Sequence, residues 1–411
     1  MEVSKPHQFK ERCVMDYTTL PFAVPAPTEP LVFCLSPLVL HLRTLIDARD
    51  PRGRMYPLAE ILTIAVLAKM SGQSRVRALA EWARHRASTL ARFFGLKHAT
   101  MPHPTTWSRI LGEAVDPLLL EQTIATFLQG LPSSEVAARG SILVNLDGKT
   151  LRGTIPLGQT QGVHLLAVYQ PDRGITLAQV AVGAKTNEIA AAPQLLEQLD
   201  LTGMVVTGDA MHTQRQLSIQ IVEGGGDYLW FVKENQPELL ATIKLLFEPE
   251  VVQAGWSAPA VDFTSATTVE QAHGRLDERT ITLSSMLCEY CDWPYLAQVF
   301  KLERRSTNAR GQVLNEVRYG ITSQEASVAD ARSVLRQARG HWAIENQLHY
   351  RRDVSLHEDA SQVRLGQAPQ VLAALNNLVL GLWAQHGISN VPSAQRAFDY
   401  HFNAFLLHHA E

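Results

Sequence analysis

Three acidic residues sit where a carboxylate could do chemistry. Asp147 lies in ILVNLDGKTLRGT, Asp209 in MVVTGDAMHTQ and Glu345 in ARGHWAIENQLHYRRDVSLHED. The first two follow short apolar runs that read as buried strands, and the third falls on an expected helix. Acids carried by separate elements can converge on one point, where hard divalent cations bind through oxygen. Two such cations can clamp the attacking and leaving oxygens of a phosphodiester. The chemistry suggested is metal-dependent processing of DNA.

Each motif also has a plainer reading. An isolated Asp-Gly such as Asp147–Gly148 more often opens a turn than a site. The weight comes from the repetition, because two parallel strands ending in Asp would bring their carboxylates together. Like charges that close favour bound cations. Beside Asp147, Lys149 and Arg152 are placed to meet phosphates; beside Asp209, His212 and Gln214 are placed to touch substrate. At about 100° per residue, His341, Glu345, His349 and Arg352 share one helix face, while Trp342, Ile344 and Leu348 point elsewhere and anchor the helix. Asp353, Glu358 and Asp359 are rivals for a third ligand. The segments KTNEI and KENQ add Lys185, Asn187, Glu188, Lys233, Asn235 and Gln236 beside strands, as phosphate and base contacts or as caps and turn residues.

The elements that must position these residues change character along the 411-residue chain. Residues 1–35 read as a loosely ordered leader and not as a signal peptide. Residues 36–135 read as a helical domain, with AEILTIAVLAKMSG a buried helix stopping at Gly72 and Thr105 capping a later one. Between Lys69 and Arg109 there are eight Lys or Arg, including Arg75, Arg77 and Arg84, opposed only by Glu81. That local excess suits a phosphate-facing surface despite a net charge of −3. Residues 140–385 alternate strand, hairpin, helix, strand, helix, strand, the pattern of a mixed sheet flanked by helices. Within them, 237–330 begin with a helix and continue as strands of an inserted sheet. Residues 386–411 read as a C-terminal tail.

Composition excludes several classes. No apolar run suits a bilayer span. Four cysteines in so long a chain argue against a disulfide scaffold. Cys288 and Cys291 form a C-x-x-C without a second pair or nearby histidines, so they read as incidental thiols. The chain fits a reducing cytoplasm. A haloacid-dehalogenase-type phosphatase would need a second Asp at 149, which is Lys.

Taken together, LDGKTLRGT, KTNEI, GDAMHTQ, DYLWFVKENQ, HGRLDERTI and HWAIENQLHYRRDV strongly resemble the H-repeat-associated, ISAs-type insertion-sequence transposases of the DDE superfamily. DPRGRMYPLAEILTIAVLAKMSG and PTTWSRIL resemble the helical domain that accompanies their catalytic domain. The likeness covers about 50–385. It implies an α/β, ribonuclease-H-like core with a β-rich insertion before the last catalytic helix. It implies Asp147, Asp209 and Glu345 as the catalytic triad, holding two Mg²⁺ ions for which Mn²⁺ can substitute. It further implies double-stranded DNA as partner, a homodimer synapsing two element ends, no membrane, and residence at the bacterial nucleoid. Related transposases carry Y-x2-R-x3-E-x6-K around the glutamate. Here Ala338 stands at the Tyr place, His341 at the Arg place and Arg352 at the Lys place, and Arg is not a neutral exchange for Lys. Two rivals remain: a nuclease that cuts without joining, and an inactive or domesticated relative that only binds DNA.

Overall fold

A computed structural model describes residues 35–132, 141–183, 186–248, 261–272 and 274–407. The expected leader, Leu35 apart, and Lys185 lie outside the described residues.

Six helices come first: α1 (Leu35–Leu42), α2 (Leu58–Met70), α3 (Val76–His85), α4 (Ala87–Phe94), α5 (Pro104–Arg109) and α6 (Pro117–Gly130). α2 has no polar stripe, and every one of its residues is buried. A helix apolar all round is stable only inside a core. That burial takes Lys69 with it, so Lys69 is 3% exposed and is not part of the basic surface expected from its neighbours. α3 is divided instead, with Leu79, Ala80 and Ala83 inward and Arg75, Arg77 and Arg84 exposed. At the start of α5 the cap is His103, whose ring accepts from the Thr105 backbone N–H, so Thr105 lies inside the first turn and is not the cap.

One nine-stranded sheet follows. Its strands are β1 (Ile142–Thr150), β2 (His164–Gln170), β3 (Ile175–Val182), β4 (Met204–Gly208), β5 (Asp227–Val232), β6 (Thr264–Ala272), β7 (Arg275–Ser284), β8 (Gln298–Asn308) and β9 (Val313–Thr322). The spatial order is β3-β2-β1-β4-β5-β9-β8-β7-β6. β1, β4 and β5 are mutually parallel, and every other pairing is antiparallel. α7 (Glu188–Leu196), α8 (Arg215–Glu223) and α9 (Pro237–Phe247) connect the strands. The molecule is thus a mixed α/β protein with a large mixed sheet.

β7, β8 and β9 were expected to form a sheet of their own. They extend the first one, because β9 pairs with β5 through Leu229 opposite Thr322 and Val232 opposite Tyr319. β5 is almost wholly buried, and a bare edge there would leave its N–H and C=O groups unpaired. The polar, Thr-rich β6 was not anticipated.

α10 (Ala331–Gly340) follows, and the chain then widens into π-helical turns at Ile344–His349 and Arg351–Ser355. A π-turn abandons the 3.6-residue period, so the expected common face breaks. Arg352 turns inward and is fully buried, while Glu345 is exposed. α11 (Ala368–Gln385), α12 (Val391–Tyr400) and α13 (Phe402–Leu407) follow, giving the tail a helical form as far as Leu407. α11 packs on α2, α6 and β3. The first helices and the sheet therefore share one continuous hydrophobic core. No described helix is long and apolar enough to cross a membrane.

Candidate active site

β1 and β4 run parallel with Leu146 opposite Gly208 as the last register pair. Asp147 and Asp209 are each the next residue. The two residues therefore stand at matched positions on adjacent strands, whose backbones lie roughly 4.8 Å apart. β4 stops there, but β1 runs on through Gly148 to Thr150, held by β2 with Asp147 opposite Ala167. The sharp turn expected at Gly148 is absent. Asp209 begins a 3-10 turn, Ala210–His212, closed by the His212 N–H donating to the Asp209 carbonyl at 2.8 Å.

The helical segment bearing Glu345 brings a histidine to each aspartate. His341 Nε2 lies 3.5 Å from Asp209 Oδ1, and His349 Nε2 lies 3.2 Å from Asp147 Oδ2. His341 beside Asp209 holds its carboxyl below the usual carboxylate range; burial works the other way, and Lys233 and His212 add to the depression. The contact to Asp147 is one of proximity alone, because neither His349 ring nitrogen has a hydrogen-bond partner. Glu345 does not close on the two aspartates. Among the described residues no three His, Cys, Asp or Glu side chains are gathered so as to hold a metal ion.

Glu188, at the start of α7, joins His164 at 2.8 Å to His212 at 3.2 Å. Burial alone would raise its carboxyl, but the two histidines outweigh this and bring it down to about 2. His164 continues the chain to Thr150 at 2.8 Å. This cluster lies directly against Gly148 and was missed as a unit, since nothing in the spacing of these residues signals that they meet.

The remaining expected site residues divide by exposure. Lys149 is buried and pairs with Asp353 at 2.6 Å. Arg152 is exposed beside Asp359. Asn187 caps α7 by accepting from the Ala190 N–H. Gln214 donates to the Met211 carbonyl, Asn235 to the Ala210 carbonyl and Gln236 to the Thr213 carbonyl, so these three brace the Asp209 loop. Lys233 is exposed. His212 is fully buried, and Arg352 is bound to Glu358 at 2.8 Å in the interior. Cys288 and Cys291 are free thiols.

Residues 141–382 match the transposase DDE domain family, and residues 39–128 match the DDE_Tnp_1-associated family. The putative transposase YncI of Escherichia coli O157:H7 is 28% identical over 84% of this chain and 86% of its own. The H repeat-associated putative transposase YhhI of Escherichia coli (strain K12) is 25% identical over 85% of this chain and 90% of its own. An uncharacterized protein in the dhlA 3′ region of Xanthobacter autotrophicus is 32% identical over 67% of this chain and 92% of its own. Among solved structures, a piggyBac transposase synaptic complex with hairpin DNA aligns at a TM-score of 0.37 and 11% identity, over 92% of this chain and 79% of that one, a likeness too loose to bear weight. The DDE match spans more than half of the chain, so the protein belongs to the transposase DDE domain family and is a DNA transposase of the insertion-sequence kind.

Proposed function

We propose that the protein cuts DNA at the ends of its element and joins those ends to a target, with Asp147, Asp209 and Glu345 as the catalytic acids. The observation that carries the reading is the matched placement of Asp147 and Asp209 one residue beyond the Leu146–Gly208 pair. The strand order β3-β2-β1-β4-β5, antiparallel then parallel, supports a ribonuclease-H-like core, with β6–β9 as its β-rich insertion and α1–α6 as a DNA-gripping helical region.

The donor set suits Mg²⁺ or Mn²⁺, because hard cations take carboxylate oxygen. The orphaned His349 nitrogens beside Asp147 support a site built around a further group. Two such ions would supply a lowered pKa for the attacking hydroxyl and charge neutralisation at the leaving 3′-oxygen. The protein's own contribution is positional. β1 and β4 fix two acids in register, the Asn235 and Gln236 amides brace the Asp209 loop, and His341 and His349 stand against the two carboxylates. Glu345 must move toward the aspartates to complete the set. A homodimer would hold two ends at once, with the exposed Arg75 just before α3 and Arg77 and Arg84 within it on phosphates.

The second reading, a relative that binds DNA without cutting it, draws on the exposure of Glu345. A labelled duplex carrying the flanking inverted repeats, incubated with Mg²⁺, separates the possibilities. Joined products from the wild type and none from Asp209→Ala are expected. Cleavage without joining would leave a nuclease, and binding alone would leave the non-catalytic relative.

A further inference from the structure

A groove opens beside Glu345, between the end of α10 and the outer strands. Arg275 and Arg279 of β7, Arg304 of β8, Arg318 of β9 and Arg339 of α10 line it together with Trp342. The carboxylates in its wall are Asp277, Glu316 and Glu345, and Glu270 reaches Arg339 and Arg279 from β6. Five guanidinium groups on four separate elements are more than sequence patterning disclosed, since these residues are scattered over 275–339.

Their arrangement is costly for a surface that needed only solubility. Arg279 and Arg304 stand directly opposite each other on neighbouring strands, and like charges so placed are destabilising. Asp277 holds them together, at 3.3 Å from Arg279 and 3.0 Å from Arg304. Arg318 is paired with Glu316 and lies 4.4 Å over the Trp342 ring. That stacking fixes the plane of its guanidinium. Arg275 has no ion pair among the described residues.

We infer that this groove is a binding site for a DNA strand running to or from the catalytic acids, held through its phosphates. A guanidinium fork matches phosphate oxygens in a bidentate way. A row of forks over several elements suits a polymer with repeated charges better than a single small anion. The acids in the wall then act as placeholders that orient the arginines until phosphates replace them. The inference rests on the transposase reading and adds where on the protein the strand lies. Phosphates of the element end and of the target share this chemistry.

The test uses the full chain carrying Asp147→Asn, so that binding is read without cleavage. Affinity for two labelled duplexes, one with the inverted repeat and one unrelated, is measured across a salt series. Arg275→Ala and Arg304→Gln are each expected to raise Kd roughly tenfold and to flatten the salt slope by about one. Weakening confined to the repeat duplex assigns the groove to the element end; weakening confined to the unrelated duplex assigns it to the target. Arg275→Ala breaks no ion pair among the described residues and so leaves folding out of the outcome. Unchanged affinity and slope in Arg275→Ala overturn the inference, even if Arg304→Gln binds poorly with a lowered melting temperature. A wild-type protein that cleaves its ends while the groove variants bind normally removes the groove alone. A wild-type protein that binds neither duplex removes the transposase reading with it.

Discussion

Glu188 lies so close over Gly148 that a Cβ at position 148 would overlap its carboxylate, which would have to shift away from His164 and His212. Gly148 has an ordinary strand conformation, so its value is the space it leaves and not a special turn. The contact fixes Glu188 one residue from Asp147, and through Glu188 it fixes His164 and His212. Gly148→Ala should therefore cost about 1–3 kcal/mol, the usual range for overpacking a filled site. Adding Glu188→Ala should recover part of that loss, since the clash needs both partners. Urea unfolding of the four proteins of this cycle measures it. Strict additivity would show that the two residues do not meet.

This contact illustrates what the sequence disclosed and what it could not. ILVNL, MVVTG and DYLWFV announce strands because β-branched and aromatic runs bounded by turn residues have few other readings. Asp147 and Asp209 stood out because both runs end in the same residue type. Lys69 misled because charge marks the surface on average, whereas an unbroken apolar helix such as α2 drags its one lysine inside. Arg352 misled because the 3.6-residue period was assumed across a segment that is π-helical. β9 joining β5 and Glu188 meeting Gly148 are contacts between distant residues, and local pattern carries no information about them.

Arg352 and Glu358 form an ion pair with side-chain exposures of 0% and 5%. Gln179 and Asn377 accept from the same guanidinium, and Asn376 joins Glu358 to Lys69 on α2. The segment just after Glu345 is thus tied to the first helices and to β3. Truncating one member of a buried pair leaves the other charge uncompensated, which costs about 3–5 kcal/mol. Arg352→Ala is expected to lose that much in denaturant unfolding. A loss below about 1 kcal/mol would show that water or rearrangement satisfies Glu358 without the arginine.

Glu121 belongs to the same network, accepting from Gln179 and from Asn377. Burial pushes its carboxyl up to about 8, only partly offset by Arg352 and those two amides. A raised folded-state pKa contributes stability that is complete below the unfolded value of 4.5 and is lost as pH rises through about 8. Glu121→Gln keeps an acceptor oxygen and cannot ionise. Relative to wild type, the variant should gain stability steadily from pH 5 to pH 8, as read by melting temperature. A difference that is flat with pH would mean that Glu121 is ionised in the folded protein.

Glu188 has the opposite sign. Its carboxyl is depressed to about 2 because His164 and His212 outweigh the effect of burial. A depressed folded-state pKa contributes stability that is complete above 4.5 and is lost as pH falls toward 2. Glu188→Gln removes the ionisable carboxyl that His164 and His212 hold down. The wild type should lose stability on going from pH 5 to pH 3, and the variant should start lower at pH 5 with the Glu188 part of that slope gone. Parallel stability curves for the two proteins would show that the cluster at the edge of the Asp147–Asp209 site is held by packing alone.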